Sequence, residues 1–197
     1  MNVWTITEPL SELITLEEAR LHLKLDAEGS PASHPDDDLV AVLITAAREH
    51  AENFLNARVA EWTLELRLSG FAAEIEIPDR VVSIDAVTYI DQGGVTQTVD
   101  PTDYELAGAP AAPILRPVYD GEWPTDIRAQ DDAVRIRYTS GYSAGSPNTL
   151  PAAIRAAMLL TIGHLYANRQ AVAEKQSQEL PLGVTSLLMP YRRQMGG

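Results

Sequence analysis

The chain has 197 residues, 45% of them hydrophobic, a formal net charge of −13 and no cysteine. That length can bury a real core, as one domain or as one domain with an insertion. The missing cysteines exclude disulfides, iron–sulfur clusters and thiolate zinc sites, and they fit a reducing compartment.

The first residues, MNVWTITEPL, show no basic region followed by an apolar run, so no secretory signal is expected. Thr15 to Leu25 reads as a short helix, with Thr15 and Glu18 at capping-box spacing and Leu16, Ala19, Leu21 and Leu23 as its apolar residues. A polar loop with Gly29, Pro31 and Pro35 follows. A second helix is predicted from about Asp36 to Asn56. Val40, Leu43, Ile44, Ala47, Ala51, Phe54 and Leu55 line one face, and Asp37, Asp38, Thr45, Arg48, Glu49 and Glu52 the other.

At Trp62 the period changes from helical to two. Trp62, Leu64, Leu66 and Leu68 alternate with Thr63, Glu65, Arg67 and Ser69, the pattern of a half-buried strand. Further strands are expected at Glu74–Ile77, Ile84–Asp91, Val95–Val99, Tyr104–Leu106, Ile114–Leu115 and Ala133–Thr139. Gly93-Gly94 suits a hairpin turn, and the prolines between Pro101 and Pro124 suit loops and edges.

Pro151 to Arg169 reads as a long helix that is apolar on nearly every side. Pro151 suits its first turn, where a missing N–H removes no bond. Ile154, Ala157, Met158, Thr161 and Leu165 form one stripe, and Leu159, Ile162 and Tyr166 a second. Two arginines and a histidine argue against a membrane span, so burial against other helices is expected. Ile154, Met158, Leu160, Ile162, Leu165 and Tyr166 are the predicted core and subunit-packing residues. A polar stretch then leads to LPLGVTSLLMPYRR, which either folds back on its own helices or docks on another protein.

The chain is thus predicted to be α+β. A helical core of three main helices and a C-terminal arm would carry a β-rich insertion between the second and third helices. The divisions fall at 1–59 for the N-terminal part of the core, 60–140 for the insertion, 141–172 for the long helix and 173–197 for the arm.

No catalytic or metal site and no cofactor is predicted. Gly141-Tyr142-Ser143-Ala144-Gly145 has the spacing of a nucleophile elbow, but Pro147 and Pro151 oppose the helix that must start at the serine. No aspartate follows Ser143, and His164 precedes both later glutamates, so the downstream acid and histidine are not in order. The run Asp36-Asp37-Asp38 near His34 points its carboxylates in different directions and is explained by capping and the helix dipole. No histidine pair sits at zinc-binding spacing, Asp131-Asp132 reads as a turn, and Gly93-Gly94 lacks what a phosphate loop needs.

Charge is unevenly spread: residues 139–197 carry +3, so residues 1–138 carry −16. A body this acidic is a poor nucleic-acid clamp, because binding duplex requires lysine and arginine to replace counterions. Solubility is the plainer use of the charge.

Taken together these segments resemble the head–tail connector, or adaptor, proteins of tailed bacteriophages and gene transfer agents. The likeness runs from ITLEEARLHLKLD (Ile14–Asp26) through DDDLVAVLITAAREHAENFLNARV (Asp36–Val59), WTLELRLSGF (Trp62–Phe71) and DPTDYEL (Asp100–Leu106). It closes with VRIRYTSGYS, LPAAIRAAMLLTIGHLYANRQAV and LPLGVTSLLMPYR. The resemblance implies a non-enzymatic structural virion protein, assembled in the bacterial host cytoplasm into a particle neck. It implies a ring, expected dodecameric, between the portal protein and a stopper or tail-completion protein. Genomic DNA would pass through without sequence-specific binding, and an acidic wall would let it slide. Leu182, Leu187, Leu188, Tyr191, Arg192 and Arg193 are then the expected portal-binding residues, with apolar anchors at the centre and arginines at the rim. The alternatives are a hydrolase using Ser143 and a helical partner-binding regulator or chaperone that forms no ring.

Overall fold

The computed structural model of the chain describes residues 2–26, 28–29, 33–109, 112–142, 150–168 and 182–193. Two compact units divide the chain: Met1–Leu10 with Glu61–Tyr142, and Ser11–Ala60 with Ser143–Gly197. Among the described residues they contain four α-helices and two antiparallel sheets.

The helical unit holds α1 (Leu16–Leu23), α2 (Asp37–Leu55), α3 (Ala152–Ala167) and α4 (Leu182–Leu188). Thr15 caps α1, its hydroxyl accepting the Glu18 N–H at 3.1 Å, and Lys24 ends the helix in the left-handed region. α2 ends the same way at Asn56. α3 packs against each of the other three helices. Val40, Ile44, Ala47, Ala51 and Leu55 of α2 are buried, as are Ile154, Ala157, Met158 and Ile162 of α3.

The β unit holds β1 (Asn2–Thr7), β2 (Trp62–Leu68), β3 (Ile75–Glu76), β4 (Val81–Ile90), β5 (Thr96–Thr98), β6 (Tyr104–Ala109), β7 (Ala112–Pro117) and β8 (Val134–Ser140). One sheet has the order β1-β2-β8-β4-β5, the other β3-β7-β6. In the first sheet Leu64 lies opposite Tyr138, Leu66 opposite Ile136 and Leu68 opposite Val134, and Val87 lies across from Ile136 on the other side. The period of two therefore puts the apolar residues of β2 and β8 on one face, together with Val87 of β4. Ile75, Ile77, Val99 and Leu115 join them in one core, flanked by a stack of Phe71 on Trp123 at 4.5 Å. The turn before β5 is made at Asp91–Val95, where the Gly94 N–H donates to the Asp91 carbonyl and Gly94 has φ +85°.

Three expectations are corrected. The first concerns the N-terminus: residues 2–7 do not belong with the helices but form β1, paired antiparallel with β2. The run NVWTIT is rich in β-branched residues, which favour strands, but nothing local says which strand it joins. The second concerns Leu160, which is 39% exposed, so the all-round apolar surface of α3 is covered on only part of its circumference within the chain. Leu165 and Tyr166 are half-buried. The third concerns the capping role given to the acidic run, since Asp36 precedes α2 without a side-chain capping bond.

Candidate functional site

The acidic run is used to tie helices together. Asp37 accepts from the Arg20 guanidinium of α1 through Nε at 2.7 Å and through Nη2, and from the His34 N–H at 2.8 Å. The Arg20 bond, reinforced by His34, holds the Asp37 carboxyl below its usual range. Asp36 accepts from the Tyr166 hydroxyl of α3 at 2.5 Å, and Arg155 of α3 donates to Glu18 of α1 at 2.6 Å. Among the described residues no group of acidic, histidine or cysteine side chains is disposed to hold a metal ion.

Where α2 leaves the helical unit, Glu52 does the equivalent job. One of its oxygens accepts the Val59 and Ala60 N–H groups at 2.9 and 3.1 Å; the other faces Arg48 at 3.2 Å and Arg58 at 3.6 Å. Arg48 is itself buried and pairs with Glu12 at 3.0 Å.

The C-terminal segment folds back, the first of the two alternatives read from the sequence. Val184 and Leu188 are buried, and α4 packs on α3 and α2. A 3₁₀ turn at Met189–Tyr191 follows, the Arg193 N–H donates to the Leu55 carbonyl at 2.9 Å, and Arg192 lies over the Phe54 ring at 5.4 Å. Leu188 is thus an internal anchor and has no free face for a partner. Leu187 is half-buried, Tyr191 and Arg192 are exposed, and Leu182 begins α4. Of the predicted docking residues the structure therefore brings Leu187, Tyr191, Arg192 and Arg193 to one short segment and withdraws Leu188 from it. Both Pro190, which limits α4, and the apolar spacing Val184–Leu188 were visible in the sequence; which surface they would seal was not.

On the β unit, the face of the larger sheet opposite its core carries Trp4, Glu65, Arg67, Arg135 and Arg137. Glu65 is buried, accepting from Arg67 at 2.8 Å and from Arg137 at 3.0 Å. Burial pushes its carboxyl up, but the bonds from Arg67 and Arg137 together outweigh that and hold it below the usual range. The Arg67 guanidinium also lies over the Trp4 ring at 4.5 Å. A cavity of about 410 Å³ lies beside the smaller sheet. Its charged residues are Glu74, Arg116 and Glu122, with Arg116 engaged to Glu105 at 2.8 Å, and no nucleophile stands next to a base there.

Ser143, the serine of the glycine-rich loop, lies outside the described residues. Asp131-Asp132 forms the predicted turn, with Asp132 at φ +60° and its carboxylate 3.6 Å from Arg67. No helix among the described residues is long and apolar enough to cross a membrane.

A two-unit fold of this kind, with a four-helix cluster and a β unit built on two antiparallel sheets, recurs in solved structures. A chain of the neck of an empty gene transfer agent (GTA) particle, computed with C6 symmetry, matches with a TM-score of 0.78 at 22% identity over 100% of this chain and 99% of that one. A chain of the virion of a native GTA particle matches at 0.75 and 23%, and one of a native GTA neck computed with C12 symmetry at 0.73 and 21%, with the same coverage. No family model and no curated relative matches the chain. At these identities the likeness establishes the shared fold over the full length of the chain.

Proposed function

We propose that this protein is a structural component of a virion neck, a head–tail connector whose copies form a ring between the portal protein and the stopper or tail. The observation that carries this reading is the end-to-end correspondence, 100% of this chain and 99% of its counterpart, with a chain from the neck of a GTA particle. The connector resemblance of the sequence and the C6 and C12 symmetry of the matched neck structures support a symmetric ring, expected dodecameric, over a monomeric role. The acidic β unit, with sixteen carboxylates against six arginines, suits a surface near passing DNA because it does not retain phosphates.

Portal docking falls to the outward side of the C-terminal segment, with Leu187 and Tyr191 as contacts and Arg192 and Arg193 at the rim. Removing the whole segment is a poor test of docking, since Val184 and Leu188 also seal the helical unit. A Tyr191→Ala/Arg192→Glu variant leaves that seal in place.

The test is to delete the gene in its producing host, complement it with wild type or this variant, and image particles by cryo-electron microscopy. Deletion should leave DNA-filled heads without tails. Wild type should restore a ring of density below the portal at one copy per portal subunit, and the variant should restore neither ring nor tail. Tailed particles in the deletion strain would refute the connector reading.

A further inference from the structure

The two sheets expose four edge strands: β1 and β5 in the larger, β3 and β6 in the smaller. Exposed edges pair with other chains unless shortened, charged, bulged or covered. β5 has three residues and β3 two. β6 carries Glu105, ion-paired with Arg116, and Gly108 at φ +84°. β1 is different. Its six residues, NVWTIT, contain no charge, proline or glycine, and all six are exposed. Val3, Trp4 and Ile6 are 42, 50 and 42% exposed. The irregularity in its pairing lies between Thr5 and Thr7, which leaves Asn2 to Thr5 in regular register with β2. Among the described residues only β2 pairs with it.

We propose that β1 is an inter-subunit edge, which takes an extended segment of a second copy of this chain as the sixth strand of the larger sheet. The inference rests on the ring reading above. The ring reading supplies the copy as the occupant, and charge selects the edge. Each copy carries −13 and each β unit −10, so most approaches between copies are repulsive. β1 is uncharged. Opposite it on β2, Glu65 is buried and paired with Arg67 and Arg137 while the Arg67 guanidinium covers the Trp4 ring, so an acidic copy meets no unpaired like charge along this strand. Added backbone hydrogen bonds would supply the attraction, and burial of Val3, Trp4 and Ile6 would add to it. A closed ring is built from head-to-tail contacts, so the donor is a different segment of the neighbour and not its β1.

The test compares the full-length wild type with Val3→Lys/Ile6→Lys, which places guarding charges at exposed positions. Oligomers are followed by native mass spectrometry, and backbone exchange of residues 2–7 by hydrogen–deuterium exchange, both in solution and in purified particles. Wild type should form closed rings in which residues 2–7 exchange roughly tenfold or more slowly than in the monomer. The lysine variant should keep the wild-type circular dichroism and need roughly tenfold higher concentration to assemble. If the lysine variant fails to fold, Val3→Thr/Ile6→Thr, which keeps strand preference, should still weaken assembly at least about threefold. Rings of normal stability in the variant that folds, or unprotected residues 2–7 in wild-type rings, would overturn the proposal while leaving the connector reading intact. Normal variant rings that fail only to attach another particle component would assign the edge to that component and likewise overturn it. A wild type that forms no ring in solution or in particles would overturn the ring reading and this proposal with it.

Discussion

At Glu52 a single carboxylate satisfies two backbone N–H groups and faces two guanidiniums, all where the chain turns out of α2. Removing a buried charge partner leaves the remaining groups desolvated and unpaired, which typically costs several kcal/mol. Glu52→Ala should therefore lower stability by about 3 kcal/mol, and Glu52→Gln, which keeps an acceptor for Val59 and Ala60, by clearly less. Urea denaturation of the three proteins checks the order. Asp37 and Glu65 make the corresponding case for pH. Both carboxyls lie below their usual range in the folded chain, so the unfolded chain binds more protons in acid. Their contribution is complete above the ordinary carboxylate range and is lost as pH falls through the lower folded values. The melting temperature should accordingly drop on acidification below about pH 4, and the Asp37→Asn/Glu65→Gln variant should show a shallower drop. Equal slopes for the two proteins would refute the assignment.

Among the elements, α3 is the sharpest case, because its sequence is apolar all round while its burial is one-sided. Met158 is fully buried and Leu160, two residues on, is 39% exposed. Met158→Asp should abolish folding of the helical unit, since an unpaired charge would be buried. Leu160→Asp should give a folded chain with nearly wild-type melting. Circular dichroism of the two variants separates the cases. α4 provides the complementary prediction. Leu188 is buried among the unit's own helices, so Leu188→Ala should cost about 3 kcal/mol in denaturant titration. A residue that served only a partner would cost the free protein almost nothing. The two units also differ in how far their elements could be read. Strands β2 and β8 followed from strict alternation, and their paired register agrees with it residue by residue.

For the whole molecule the deciding quantity is charge. With −10 on the β unit and −13 in total, the free protein should not bind duplex DNA at physiological salt, because too few cations are available to displace counterions. Fluorescence anisotropy of a labelled duplex should stay flat to micromolar protein. Saturable binding under those conditions would argue against a wall past which DNA slides. If copies associate as proposed, the same acidity makes that association depend on neutral surfaces such as the uncharged β1 edge.

Most features that depend only on near neighbours in the chain were settled by the sequence itself, the cap expected at Asp36 excepted. The period of two from Trp62, the helical period of α2, the Thr15 cap and the turn at Gly93-Gly94 each arise within a few residues, and each is found where it was expected. The tertiary structure alone decided three things: that β1 joins β2, that one part of α3 is covered and Leu160 is not, and that Leu188 closes its own unit. Each is a choice of partner between segments far apart in the chain. Strand preference gives no partner, an all-round apolar helix has no preferred inner face, and a short apolar segment can seal either its own core or another chain. Burial is a relation between two surfaces, and a pattern along one of them names only half of it.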